Sequence, residues 1–122
     1  MTTAFKESWD IQEAAAKLGF DWPNVEGVLD KLEEEVQEIR ESLAENDTEG
    51  ARNELGDLLL ATVNACRFLQ IEPAAALSQA TEKFSHRFET LKNILIQENR
   101  SIESCSFDEF NQIWERAKQH VG

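Results

Sequence analysis

Seventeen residues, "NELGDLLLATVNACRFL" from Asn53 to Leu69, constrain this chain more than any other stretch. Wound as a helix, Leu55, Leu58, Leu59, Leu60, Val63, Cys66 and Leu69 spread over more than half the circumference, and Ala61 and Ala65 widen the apolar surface. The pattern predicts a central, largely buried helix. Its polar exceptions do not scatter: Glu54, Asp57 and Asn64 project into one sector about 80° wide. A buried carboxylate is costly unless a charge or a metal compensates it. Two of them on the most apolar helix need a reason to be there.

The rest of the chain reads as helix too. Ala, Leu, Glu, Gln and Lys dominate, whereas the chain has 5 Gly, 2 Pro and 0 Tyr, so strands have little to build on. A first helix lies in "SWDIQEAAAKLGF" and stops at Gly19, and "DWPN" turns the chain into a second helix from Val25 to Ala44. Asp47 or Thr48 caps the third. Pro73 suits the first turn of a fourth helix reaching Ile96. After the polar loop "QENRSIESC", Ser106 and Glu109 stand at capping-box spacing before a final helix over about 107–120. Short connections between long helices imply antiparallel neighbours. The expected fold is an all-α antiparallel helical bundle, one domain over 1–122 with its core in about 15–95.

The second helix shows where further carboxylates point. "KLEEEVQEIR" carries four glutamates in ten residues, beside a stripe formed by Val25, Val28, Leu29, Leu32, Val36, Ile39 and Leu43. Lys31, Glu35 and Glu38 fall along one flank of that stripe, while Glu33, Glu34 and Glu41 read as solvated. In a hairpin turning near Asp47, residues at equal height have numbers that sum to about 94, so Glu35, Glu38, Glu54 and Asp57 share one level. Four converging carboxylates repel and raise one another's pKa unless a cation neutralises them. All-oxygen ligation suits Mg²⁺, with Mn²⁺ as substitute. On the fourth helix Lys83 and Arg87 lie one turn apart on a flank of the stripe Leu77, Ala80, Phe84, Phe88, Leu91 and Leu95, and read either as a pair for an anionic ligand or as snorkelling cations. Acidic cage and cationic pair together fit a phosphate ester or polyphosphate.

A formal charge of −12 argues against nucleic-acid polymers as partners. Cys66 and Cys105 are too few for a disulfide framework, which fits a reducing cytoplasm, and no apolar run is long enough to span a bilayer. Neither His86 nor His120 sits in a Glu-x-x-His pair, which counts against a di-iron bundle. Asn64 also reads as a core amide, Trp114 as packing or base stacking, and Trp22 as packing. An acidic bundle that binds a divalent ion or a protein partner without catalysis explains composition and charge equally well. It leaves the carboxylates on the apolar helix unexplained.

"GFDWPNVEGVLDKLEEEVQE", "NELGDLLLATVNACRFL" and "EKFSHRFETL" closely resemble the MazG family of nucleoside triphosphate pyrophosphohydrolases, above all the C-terminal of the two domains in its long members. The family's paired signature, EExxE followed by ExxD, stands here as Glu34-Glu35-Val36-Gln37-Glu38 and Glu54-Leu55-Gly56-Asp57. The resemblance implies a homodimer or homotetramer that hydrolyses NTPs or dNTPs to monophosphate and pyrophosphate with Mg²⁺, a reaction suited to clearing nucleotide pools. It further implies Glu35, Glu38, Glu54 and Asp57 as metal ligands, with Glu35 or Glu38 acting on the attacking water. Lys31, Lys83 and Arg87 would then contact phosphates, Asn64 would place the nucleotide and Trp114 would stack on the base.

Overall fold

The computed structural model describes residues 3–121. They form five α-helices: α1 (Thr3–Lys17), α2 (Val25–Ala44), α3 (Thr48–Leu69), α4 (Pro73–Gln97) and α5 (Phe107–Val121), with a short 3-10 turn at Ile102–Ser104. No strand occurs among the described residues. The chain divides into two compact units, one running to Ala76 and the other starting at Leu77.

In the first unit, local chemistry sets each helix end. Gly19 ends α1 with φ +93, donating to Ala16 O (2.9 Å) while Phe20 N reaches Ala15 O (3.0 Å). That left-handed position favours glycine because it lacks Cβ. Asn24 caps α2 by accepting from Glu26 N, and Asp47 caps α3 by accepting from Gly50 N. Because only Glu45, Asn46 and Asp47 separate α2 from α3, the two pack side by side as a hairpin, and α1 lies against α3. Their buried residues are Val28 and Glu35 of α2 with Ala51, Ala61, Val63 and Asn64 of α3.

Here the structure departs from the pattern of the sequence. Leu55, Leu59, Leu60 and Leu69 of α3 are exposed, as are Leu29, Val36 and Leu43 of α2. Within this unit α1 lies against α3, and the two buried residues of α2, Val28 and Glu35, put its most buried arc toward the carboxylate flank of the apolar stripe.

In the second unit Leu91, Ile94 and Leu95 of α4 pack on Ile113 and Ala117 of α5, with Phe88, Ile102, Cys105 and Trp114 against them. Leu77 and Phe84, at the start of the α4 stripe, are exposed. The capping box forms as expected: Glu109 N donates to Ser106 Oγ (3.2 Å) and Ser106 N to Glu109 Oε1 (3.1 Å).

Candidate metal and nucleotide site

Glu35 is the residue that organises the site. One turn past Lys31 on α2, it is only 1% exposed, among the most buried side chains of the chain. Glu38 and Glu54 are half-buried beside it, and one carboxylate oxygen from each of the three lies within 4.8 Å of the others. Lys31 Nζ sits 3.0 Å from Glu35 Oε1 and 3.5 Å from Glu34 Oε1. Burial works to raise the pKa of Glu35, but hydrogen bonds with Lys31 and Glu54 outweigh it and hold the group below the usual carboxylate range. Glu54 takes the opposite course. Hydrogen bonding to Glu38 and then Glu35, followed by burial, pushes it up to about 7.

Glu54 therefore keeps its proton to higher pH than an ordinary carboxyl does. Even so, Glu35 Oε2 and Glu54 Oε2 are buried without a hydrogen-bond partner. A buried acceptor left unpaired costs free energy. An oxygen-only donor set with two orphaned oxygens fits a hard divalent cation.

Asp57 stands outside this trio. It is exposed, one turn beyond Glu54, and lines a cavity of about 290 Å³ with Lys31, Glu35, Trp22 and Asn64. The hairpin thus brings together Lys31, Glu35, Glu38 and Glu54, with Asp57 and Asn64 on the wall of the adjoining cavity. Glu33, Glu34 and Glu41 are exposed, as expected.

Lys83, Arg87 and Trp114 belong to the second unit. Lys83 is exposed and Arg87 half-buried on α4, one turn apart. Trp114 of α5 is half-buried, with its ring 5.2 Å from that of Phe84. It lines an aromatic cavity of about 310 Å³ with Phe84, Phe88 and Phe110.

A group of residues given no role in the sequence reading of the site, except Trp22 as packing, completes the first unit. Gln12, Asp21, Trp22 and Arg67 surround a second cavity of about 370 Å³ that shares Gln12, Trp22 and Asn64 with the first. Trp22 does pack, against Gly27, whose Cβ position would fall 2.6 Å from the ring. It also walls both cavities. Asp21, Trp22 and Arg67 all lie within the stretches that carry the resemblance, but nothing in their spacing pairs Asp21 with Arg67.

The profile of the MazG nucleotide pyrophosphohydrolase domain matches residues 24–98. The chain is 39% identical over 108 residues to the nucleoside triphosphate pyrophosphohydrolase/pyrophosphatase MazG of Thermotoga maritima, covering 88% of this chain and 41% of that protein. It is 31% identical over 118 residues to the nucleoside triphosphate pyrophosphohydrolase of Escherichia coli, covering 95% of this chain and 45% of that protein. It therefore spans less than half the length of these relatives. With the matched region running from the cap of α2 to the end of α4, and with the acidic trio inside it, the chain belongs to the MazG nucleotide pyrophosphohydrolase domain family.

Proposed function

We propose that this domain hydrolyses nucleoside triphosphates, ribo- or deoxyribo-, to the monophosphate and pyrophosphate, with Mg²⁺ (or Mn²⁺ as substitute) held by Glu35, Glu38, Glu54 and Asp57. The observation that carries the reading is the pair of orphaned buried oxygens, Glu35 Oε2 and Glu54 Oε2, in an acidic trio beside a cavity. A bound cation supplies charge neutralisation, a lowered water pKa and stabilisation of the leaving pyrophosphate. Glu35 or Glu38 orients or deprotonates the attacking water. Lys31, already beside the acids, contributes a positive charge at the mouth of the cavity for a phosphate oxygen. Asn64 places the nucleotide from the cavity wall. Sequence likeness and their spacing on α4 support Lys83 and Arg87 as further phosphate contacts, and sequence likeness together with the half-buried aromatic cavity at Trp114 supports base stacking.

The domain works as a homodimer or homotetramer. What supports this is the uncovered apolar arc of the hairpin, where Leu43 is 64% and Leu59 60% exposed.

The deciding experiment incubates the protein with mixed NTPs, dNTPs and Mg²⁺ and assays pyrophosphate. Glu38→Gln and Asp57→Asn are expected to abolish release while helical circular dichroism persists. Turnover retained by both variants overturns the site. Mg²⁺ binding by wild type without turnover of any nucleotide identifies a non-catalytic acidic bundle instead.

A further inference from the structure

Arg67 takes no part in the chemistry proposed above, yet its side chain is only 8% exposed. Nε donates to Asn64 Oδ1 at 2.9 Å and Nη2 to Asp21 Oδ1 at 2.6 Å, while Nη1 lies 3.9 Å from Glu13 Oε1. The guanidinium also lies over the Phe68 ring, 4.8 Å from its centroid. Hydrogen bonding to Arg67 holds the Asp21 carboxyl below its ordinary range, so the partner stays ionised.

The consequence concerns Asn64, itself 7% exposed. A guanidinium has donors and no acceptor, so the oxygen of the Asn64 carboxamide must be the atom that faces it. That leaves Nδ2, with two N–H donors, as the polar group Asn64 can offer to a ligand. Asn64 lines two of the first unit's cavities, the one beside Glu35 and Asp57 and, larger of these two, the one walled by Phe20 and Trp22. The larger cavity, about 370 Å³, has the size and the aromatic walls to take a planar, partly apolar group. With the phosphates placed at the carboxylates, that group would be the nucleoside, seated here in place of the Trp114 surface.

We infer that Arg67, pinned by Asp21, is a positioning residue that turns the Asn64 carboxamide so its N–H donors meet an acceptor atom of the nucleoside in the Phe20–Trp22 cavity. The inference rests on the hydrolase reading. A purely structural Arg67, tying the turn before α2 to α3, predicts lost stability and nothing more.

Steady-state kinetics on an NTP and dNTP panel with Mg²⁺ separate the two. Arg67→Met is expected to raise KM about tenfold for the preferred nucleotide, the cost of one misdirected hydrogen bond, with the loss in KM rather than kcat. Arg67→Lys recovers part of it, because an ammonium on a flexible stem replaces only one arm of the fork. On an Asn64→Ala background, Arg67→Met adds nothing further, since its effect passes through Asn64. Asp21→Asn keeps the shape while removing the charge, and raises KM in the same direction; it carries the test if Arg67→Met folds poorly. A lowered melting temperature with unchanged KM, or effects that multiply in the double variant, overturns the inference and leaves the hydrolase reading intact. A wild-type protein inert to the whole panel overturns both.

Discussion

The ring of Trp22 lies so close over Gly27 that a Cβ at that position would sit 2.6 Å from Cε3 and 3.2 Å from Cδ2. Real Cβ contacts do not come that near, and the clashing atoms belong to the fused ring rather than to a flexible tip. Gly27→Ala gains about 1 kcal/mol of helix propensity within α2 but costs about 1–3 kcal/mol in overpacking, so the ring must move. We expect a net loss of stability of up to about 2 kcal/mol and a red-shifted tryptophan emission. Denaturant titration and fluorescence of the variant check this, with Trp22→Phe identifying the emitting residue. A more stable protein with unchanged emission would show that the contact is slack.

Lys31 and Glu35 form a pair of unequal burial, the lysine side chain 37% exposed and the glutamate 1%. Removing the cation strands a charge, whereas removing both leaves an amide and a thioether stem. Lys31→Met is expected to cost about 1 kcal/mol, a figure kept small by the exposure of the lysine, and to raise the Glu35 pKa because burial then acts with less opposition. Adding Glu35→Gln recovers most of the loss, a coupling that a double-mutant cycle by urea unfolding would read. Additive losses would mean that the two groups do not interact across their 3.0 Å contact.

Helix placement was legible because the punctuation is local. The DWPN turn, Asp47 and Pro73 mark starts, Gly19 marks a stop, and the observed α2, Val25–Ala44, falls on the approximate bounds read from the sequence. Hairpin register alone put Glu35, Glu38, Glu54 and Asp57 at one level, since a turn of fixed length sets which residues face each other; the first three do meet, while Asp57 stays exposed outside the trio. Which flank of the α2 stripe would be covered did not follow. Glu35 ended deeper than Leu29 or Val36 because α3 packs against its side of α2, while Leu29 and Val36 stay exposed among the described residues. The Asp21–Arg67 contact was invisible for a related reason: its partners are 46 residues apart, and no periodicity reports a long-range pairing.

Gln70 ends α3 in the left-handed region, at φ 56, a conformation that costs a residue with a Cβ about 1 kcal/mol relative to glycine. Gln70→Gly is therefore expected to stabilise the chain by about 0.5–1 kcal/mol, after the entropy that glycine adds to the unfolded chain. Asn46, at φ 55, is the comparison, because asparagine tolerates that region better. Asn46→Gly should gain less. Equal gains in the two variants by thermal unfolding would place the stabilisation elsewhere than in relief of backbone strain.

The raised pKa of Glu54 has a sign that can be tested without any turnover. Unfolded, the group titrates near 4.5; folded and without metal, it titrates at about 7. Between these values the native apoprotein keeps a proton that the unfolded chain has lost, so this group's contribution to stability is full below the lower value and is lost as pH rises through the upper one. Glu35 works the other way, its stabilisation present above the ordinary carboxylate pKa and lost as pH falls. A divalent cation must displace the proton on Glu54, so Mg²⁺ binding is expected to release close to one proton at about pH 6 and almost none at about pH 8. Affinity should rise with pH across that interval and then level off. Calorimetry in two buffers of different ionisation enthalpy counts the released proton directly, and Glu54→Gln should remove both the release and the pH dependence. A wild-type protein that binds Mg²⁺ at the acidic end without releasing a proton would mean that Glu54 holds none there to displace, or that the cation is held elsewhere.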